Sequence, residues 1–555
     1  MNVGLADPRP VSVGARDAMQ PGEEERRWFR ALLVFCVFAT LSTLWIGKDR
    51  DHIRNPDEAA YAEQARSLLD RGSLEVGFVR HYHVQYPADV LHPEDFYPPG
   101  NGALIAAAWS AFGRSDFASS IPSTLLACLV IPLLAFALTR RLEASAPFAF
   151  GCAVVVLFEP EFRFHAHQAL ADLPLCASVL GALVLAFGPT HRHAVLAGAV
   201  LGVGFWFKPT ALLFLPGLAL VAALADRRPL SQTIVRLAVL GAAMTVVIAP
   251  WLARNLAEFA DPLYSGNKHL TATANDPKFR YPDIRKVYWA IPGYVLPALE
   301  GSVGRFGLMP VLKRFLEHIY ELVAIHGRDA FGILFGIAAL TSFHRRRVAG
   351  ALLFIAVYGV ALSAVFAIYF RYLMPIFPIV TAITWAFGDR LVRRILRSPG
   401  EPLIYPAIAT PARFALLAAA LAVIPPASTF VRDLATGKND FIPRDERPMH
   451  AAADWARAHL PQDARVMTTE ALMFHHDSGL LTVNIPWDVP ERMDAVVEHH
   501  GIGYLVILEQ GQFSERSADF LPAYLEAFAD RWTEHPLDPD VGYRVLVRRG
   551  AAPPR

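Results

Sequence analysis

Long apolar blocks, separated by short arginine-bearing turns, dominate the chain as far as Val431. A bilayer core needs roughly twenty apolar residues per helix, or slightly fewer where flanking side chains snorkel. By that measure the predicted spans are Ala31–Gly47, Phe117–Leu138, Pro147–Phe162, Leu173–Phe187, Ala194–Phe207, Ala211–Ala225, Thr233–Leu252, Ala330–Phe343, Val348–Phe370, Tyr372–Phe387 and Phe414–Val431. The count is about eleven spans, open by about two because several neighbours are joined by very short turns. Composition agrees. Of 555 residues, 54% are hydrophobic and only 19% charged, against about 25% charged in a soluble chain. The expected architecture is an α-helical polytopic membrane protein.

Arginines set the orientation. Arg26, Arg27 and Arg30 precede the first run, which assigns residues 1–30 to a cytoplasmic tail and the run itself to a retained signal-anchor span. Alternation then predicts cytoplasmic loops at Arg140-Arg141, His191-Arg192-His193, Arg227-Arg228, Arg345-Arg346-Arg347 and Arg390 to Arg397, and each is basic. The outer face receives Lys48 to Asp116, the Arg163–Asp172 turn, Arg254 to Asp329 and everything after Arg432. Within these loops Gly102–Phe112 reads as a short apolar helix and Val311–Ile325 as an amphipathic one.

Residues 433–555 have a different pattern. Met449–Leu460, Val489–His499 and Ala518–Ala529 are helical in spacing, and Ala464–Thr469, Gly503–Leu508 and Tyr543–Arg548 read as strands. A small C-terminal α/β extracytoplasmic domain is expected after the membrane domain, 31–432. The net charge of +1 indicates neither a nucleic-acid partner nor an acidic tail. Cys36, Cys128, Cys152 and Cys176 all lie in apolar blocks without metal-ligand spacing, so neither a disulfide framework nor a structural zinc site is indicated.

Candidate chemistry gathers on the outer face. In the stretch RNPDEAAYAEQARSLLDRG, Asn55 suits an N-cap, Pro56 the first helical position, and Glu58 can reach back in a capping box. Asp57 has no such duty, which makes it the better candidate for a carboxylate accepting a proton from an acceptor group. Asp172, in HAHQALADLPL, is either an N-cap or a second functional acid converging on the same cavity. Arg163, His165, His167, Lys208, Arg254 and Arg371 bring cations to that face, against the positive-inside bias. Each alone is a snorkelling side chain; together they can bind a phosphate or pyrophosphate. His165 and His167 also form an HxH pair, a weak metal signal that leaves a divalent ion possible but undetermined. The Phe96–Asn101 segment, FYPPGN, rigidifies a loop entry, and its aromatics are candidates to stack on a sugar.

Several of these segments follow one another in a familiar order: the Asp-Glu helix after the first span, the Tyr-Pro-Pro loop opening a short helix that ends in Phe112-Gly113, ADLPL, GVGFWFKPTALLFLP, PWLARN with a following DPL, and the Arg-Tyr-Leu-x-Pro run. In that order they resemble the C-type membrane glycosyltransferases, in the branch containing protein O-mannosyltransferases and the bacterial transferase that adds aminoarabinose to lipid A. The resemblance spans most of Ala31 to Val431. It implies transfer of a sugar from a polyprenyl-phosphate carrier to a lipid, glycan or protein acceptor, outside a bacterial cytoplasmic membrane.

It further implies that Asp57 and Asp172 take the family's two loop-acid positions, with Glu58 beside Asp57. Lys208, Arg254 and Arg371, with Tyr372 and Arg163, would face the donor phosphate, and Tyr61, Tyr97, His165 and His167 the substrates. One departure stands out: an acidic-basic pair precedes the loop proline in the aminoarabinose branch, whereas Tyr97-Pro98 stands here. Glu94 and Asp95 are near but out of register. That departure puts the lipid A acceptor, and any metal held by that pair, in doubt. A flippase for a lipid-linked substrate is the rival class; it would place polar groups along the spans, which here are nearly free of charge. A membrane sensor would need only a lighter anchor for its binding domain.

Overall fold

The computed structural model describes residues 21–224, 228–267, 281–293, 312–313, 315–317, 329–365, 370–396, 410–436, 447–509, 514–537 and 541–554. The predicted amphipathic stretch Val311–Ile325 falls largely outside these residues.

Each predicted apolar run is built mainly as helix. Among the described residues, Gly22–Gly47, Asp116–Arg141, Leu230–Phe259 and Arg346–Ser363 are long and apolar enough to cross a bilayer, and the bent pair Pro411–Ile424 and Ala427–Thr436 makes a fifth candidate. Ala146–Leu157 and Asp172–Ala186 are apolar but shorter, and they are almost wholly buried against their neighbours. The protein is a multi-pass membrane protein. Its main core is a single cluster running from Leu32 on the first helix to Val423 on the last. Charges lie within it, among them Arg236 and Asp389. Arg236 is fully buried and donates to the carbonyls of Ala186 and Gly188 at 2.7 and 2.6 Å. It thereby caps the C-terminus of the Asp172–Ala186 helix, where unpaired carbonyls favour a cation.

At the end of the bundle that carries the sequence motifs, helix α1 (Pro21–Gly47) leads through a short turn into helix α2 (Pro56–Asp70). Helix α3 (Gly100–Phe112) packs on α2 through Ile105, Ala106 and Trp109 against Tyr61, Ala62 and Ala65, over the Ala169–Ala171 turn. Between α2 and α3 the chain makes β1 (Glu75–Val76), β2 (Phe78–Val79) and β3 (His92–Pro93), with β1 and β3 antiparallel.

The C-terminal segment supplies β4 (Arg465–Thr468), β5 (Leu481–Asn484), β6 (Tyr504–Leu508), β7 (Trp532–His535) and β8 (Tyr543–Arg548). They form a sheet of order β2-β5-β4-β6-β8-β7, parallel as far as β6 and antiparallel beyond it. Three strands and three helices expected from the pattern are present within a few residues. The helix Ala471–Ser478 and strands β5 and β7 escaped it, being four to eight residues long with weak alternation.

The sheet is not confined to 433–555. Its edge strand β2 comes from the first loop, in register Phe78 to Thr482. The loop after Phe259 also docks there: Arg285 donates to the Thr469 carbonyl at 2.7 Å and stacks over Trp487 at 4.6 Å.

A buried ionic contact fastens α2 to this unit. Glu63 lies 3.1 Å from His475 and also bonds Arg66 and Arg71. Burial opposes its ionisation, but His475, Arg66 and Arg71 prevail and hold its carboxyl at about 2, against an ordinary 4.5. A depressed carboxyl stabilises the fold above its ordinary pKa and loses that contribution as pH falls through the folded value. The expected loss is roughly 3 kcal/mol, on the order of the shift in units times 1.36, between pH 4.5 and 2. An acid melt of Glu63→Gln beside wild type checks it: the variant should lack that limb.

Candidate functional site

Two acids and two cations alternate where α2, the Asp172–Ala186 helix, the end of the His191–Phe207 helix and the Phe370–Leu373 turn meet. The α2 start is built as its sequence reads. Asn55 accepts the Asp57 N–H at 2.9 Å and Pro56 opens the helix, so the cap uses the Asp57 backbone and leaves its carboxylate free. One carboxylate oxygen takes Arg371 Nη1 at 2.7 Å, and the other takes the Tyr97 hydroxyl. Burial works to raise the Asp57 pKa, but Arg371, the Tyr97 bond and Lys208 outweigh it and hold the carboxyl below its ordinary range.

Asp172 is not a cap. It is the first residue of its helix, makes no capping bond, and takes Lys208 Nζ at 2.6 Å on Oδ1. Its Oδ2 is buried without a hydrogen bond among the described residues. Lys208 ends its helix in extended backbone, which turns the ammonium back toward Asp172, 5.1 Å from the Tyr372 ring. Arg371 lies 5.8 Å from the same ring. The site therefore runs Arg371–Asp57 beside Lys208–Asp172, with Tyr97 and Tyr372 as its aromatic walls.

Glu58 is occupied elsewhere. Its carboxylate, with no exposure, takes Arg50 Nη2 on both oxygens at 2.9 Å, the Arg54 N–H at 2.9 Å and the Ala169 N–H at 2.5 Å. The expected capping box is thus displaced by one residue, onto Arg54 instead of Asn55. Arg50 also donates to the His167 carbonyl. This clamp ties the end of α1, the start of α2 and the Ala169 turn together, and so holds Asp172 near Asp57. It leaves no lone pair facing the two-acid site.

The other sequence candidates divide. Tyr61 is buried with its ring 4.8 Å from that of Tyr97, which it backs. Arg163 pairs with Asp433 at 3.7 Å and lies over Phe430, away from the acids. Arg254 stacks on Trp251 and Phe259 and bonds Asn255 at 3.1 Å, contacting neither acid. His165 places Nδ1 2.9 Å from the Glu161 carbonyl. His167 is pushed down to about 3, by burial first and then by Arg50, Arg54 and Arg163, which leaves it neutral. Among the described residues no group of three or more His, Cys, Asp or Glu is arranged to hold a metal ion. Sequence reasoning missed Arg50, brought in by loop geometry that no periodicity encodes.

Gly100 sets how closely these elements meet. A Cβ there would lie 2.5 Å from the Trp206 carbonyl oxygen, two residues before Lys208. Gly100→Ala must therefore push α3 and the Tyr97 loop away from Lys208, at about 1–3 kcal/mol. Turnover is expected to fall well before folding does, read as activity per folded molecule. Unchanged specific activity would show that the two elements need not touch.

The fold is that of the C-type membrane glycosyltransferases. ArnT from Cupriavidus metallidurans in the apo state superposes with a TM-score of 0.56 at 16% identity, over 94% of this chain and 99% of that one. The same protein bound to undecaprenyl phosphate gives 0.55 at 14%, over 93% and 98%. Within the chain, residues 97–253 match the family described as dolichyl-phosphate-mannose-protein mannosyltransferase, a segment that begins at Tyr97 and includes Asp172 and Lys208. The resemblance expected from the motifs is thus present in the fold, and in sequence over residues 97–253. No curated protein matches the chain by sequence.

Proposed function

We propose that this protein is an integral-membrane glycosyltransferase that moves a sugar from a polyprenyl-phosphate carrier to an acceptor at the outer face of a bacterial cytoplasmic membrane. The observation that carries this reading is the Arg371–Asp57 pair standing beside Lys208–Asp172 on a fold whose relative ArnT has been seen with undecaprenyl phosphate. Arg371 and Lys208 are the groups suited to the donor phosphate, where negative charge grows as the sugar leaves. Asp57 is the base. It takes the proton of an acceptor hydroxyl as that oxygen attacks the anomeric carbon; the bond from that carbon to the phosphate oxygen breaks, and polyprenyl phosphate departs with the electron pair. A single displacement of this kind inverts the anomeric centre.

Arg371 gives the two events an order. Paired with Asp57 it keeps the carboxylate a weak base, since a base works best with a pKa near the operating pH. A donor phosphate competes for the same guanidinium and so restores basicity to Asp57 only when the sugar is in place. Asp172 holds the second cation, Lys208, in position. A lipid-borne donor also accounts for a chain without a nucleotide-binding fingerprint.

Transfer of radiolabelled sugar from a polyprenyl-phosphate donor by the purified protein in proteoliposomes tests the reading. Arg371→Ala is expected to raise the apparent KM for the donor by about tenfold or more, the equivalent of about 1.4 kcal/mol. An unchanged KM removes Arg371 from the phosphate site. Lipid scrambling without sugar transfer by wild type would make the protein a flippase instead.

A further inference from the structure

Arg80 follows directly on β2 and is not used by the chemistry above. Its guanidinium carbon lies 4.2, 4.8 and 5.1 Å from the rings of Phe96, Tyr97 and Phe78, which hold it rigidly. Tyr97 carries it to the site, because the Tyr97 hydroxyl bonds the Asp57 oxygen that Arg371 does not use. Arg371 thus takes one Asp57 oxygen, and Tyr97, with Arg80 against its ring, takes the other. An inverting displacement needs acceptor and leaving group on opposite faces of the anomeric carbon, so the side away from the phosphate cations is where the acceptor enters.

Opposite Arg80 stands Glu94. Its Oε1 accepts the N–H groups of Phe96 and Tyr97 at 2.8 and 2.9 Å, which fixes the carboxylate. Its Oε2 lies 3.8 Å from Arg80 Nη2; the two side chains are 1% and 10% exposed, and neither atom makes a hydrogen bond among the described residues. The two charges form an ion pair at 3.8 Å but no hydrogen bond, which leaves a buried donor and a buried acceptor short of their full complement. The gap is too long for a direct bond and short enough for one O–H group to bridge, accepting from Nη2 and donating to Oε2. A phosphate or carboxylate cannot donate, and Glu94 and Asp95 repel it. An ammonium cannot accept, and Arg80 repels it. A hydroxyl does both.

We propose that Arg80 and Glu94 are the acceptor-reading pair, and that the acceptor is a sugar. The proposal rests on Asp57 being the base: the reacting hydroxyl is then at Asp57, so the hydroxyl at Arg80 and Glu94 is a second one on the same acceptor. A serine or threonine side chain has only one. A sugar ring has several, and Phe96 and Tyr97 beside the pair offer the aromatic surface that sugar C–H faces pack on.

The test uses Glu94→Gln, which keeps shape and the backbone bonds, and Arg80→Lys as a second variant should the first fold poorly. The full-length protein is given radiolabelled polyprenyl-phosphate sugar with either water alone or an envelope-glycan extract from cells lacking this protein. Half of that extract is first oxidised with periodate, which cleaves vicinal diols. The variants are expected to raise the half-saturating extract concentration by about tenfold, with release of sugar to water and rate at saturation within about twofold of wild type. Oxidised extract should accept little. Equal acceptance by oxidised extract overturns the sugar assignment, and an unchanged half-saturation point makes the pair a water-bridged structural contact. Release to water falling in step with transfer would show the pair acting on Asp57 through Tyr97. A wild-type protein that neither transfers nor releases sugar overturns the glycosyltransferase reading itself, and this one with it.

Discussion

Asp57→Asn is expected to lower sugar transfer by about 10²–10⁴-fold, the usual contribution of a positioned general base, while the protein stays folded. The substitution preserves shape and keeps the Asn55 cap, which binds the Asp57 backbone N–H and not its side chain. It removes the negative charge that pairs with Arg371 among the described residues, so donor affinity should hold or rise as that cation is freed. Loss of turnover with a retained or lowered donor KM is therefore the signature. The depressed Asp57 pKa fixes the sign of the pH dependence. Without donor the carboxylate stays ionised down to below the ordinary carboxylate range, so the acid limb of kcat/KM lies lower than for a free aspartate. Near wild-type turnover by a folded Asp57→Asn protein would remove the base assignment.

Its neighbour should behave in the opposite way. Glu58→Gln is expected to deplete folded protein, because it strands the Arg50 guanidinium with no exposure and no counter-charge. Breaking a buried pair by neutralising one partner costs about 3–5 kcal/mol, enough to unfold many proteins of ordinary stability. Thermal unfolding and yield in detergent measure it directly. Replacing both members by apolar residues, Arg50→Met with Glu58→Leu, should recover part of the loss. What such a protein retains of turnover then separates support from chemistry. Stability lost with specific activity kept makes Glu58 a clamp; stability kept with activity lost makes it a second acid of the reaction.

These two residues also show what the sequence could and could not disclose. Capping chemistry is local, so Asn55, Pro56 and the freedom of the Asp57 side chain were legible from four adjacent letters. The partner of Glu58 was not, since Arg50 reaches it only through the turn after α1, and that turn has no period. Apolar runs announced the helices because burial against lipid or neighbours demands them. The same runs concealed Arg236, whose charge is spent on carbonyls at a helix end. Asp172 was visible as an acid at a helix start, yet whether it capped or paired depended on where Lys208 arrives, thirty-six residues later. Lys208 and Arg371 pair with the two acids; Arg163 and Arg254 find other partners. Among the C-terminal strands β4, β6 and β8 were readable by alternation, whereas β5 and β7 were too short to show a period, and β2 belongs to a distant loop.

That distant strand bears on how the protein matures. Phe78 pairs with Thr482, roughly four hundred residues further along, so β2 leaves the ribosome long before the strand it needs. Every membrane helix can be inserted while the first loop still lacks its sheet. The loop that carries β2 therefore docks on its sheet only after β5 has emerged and folded.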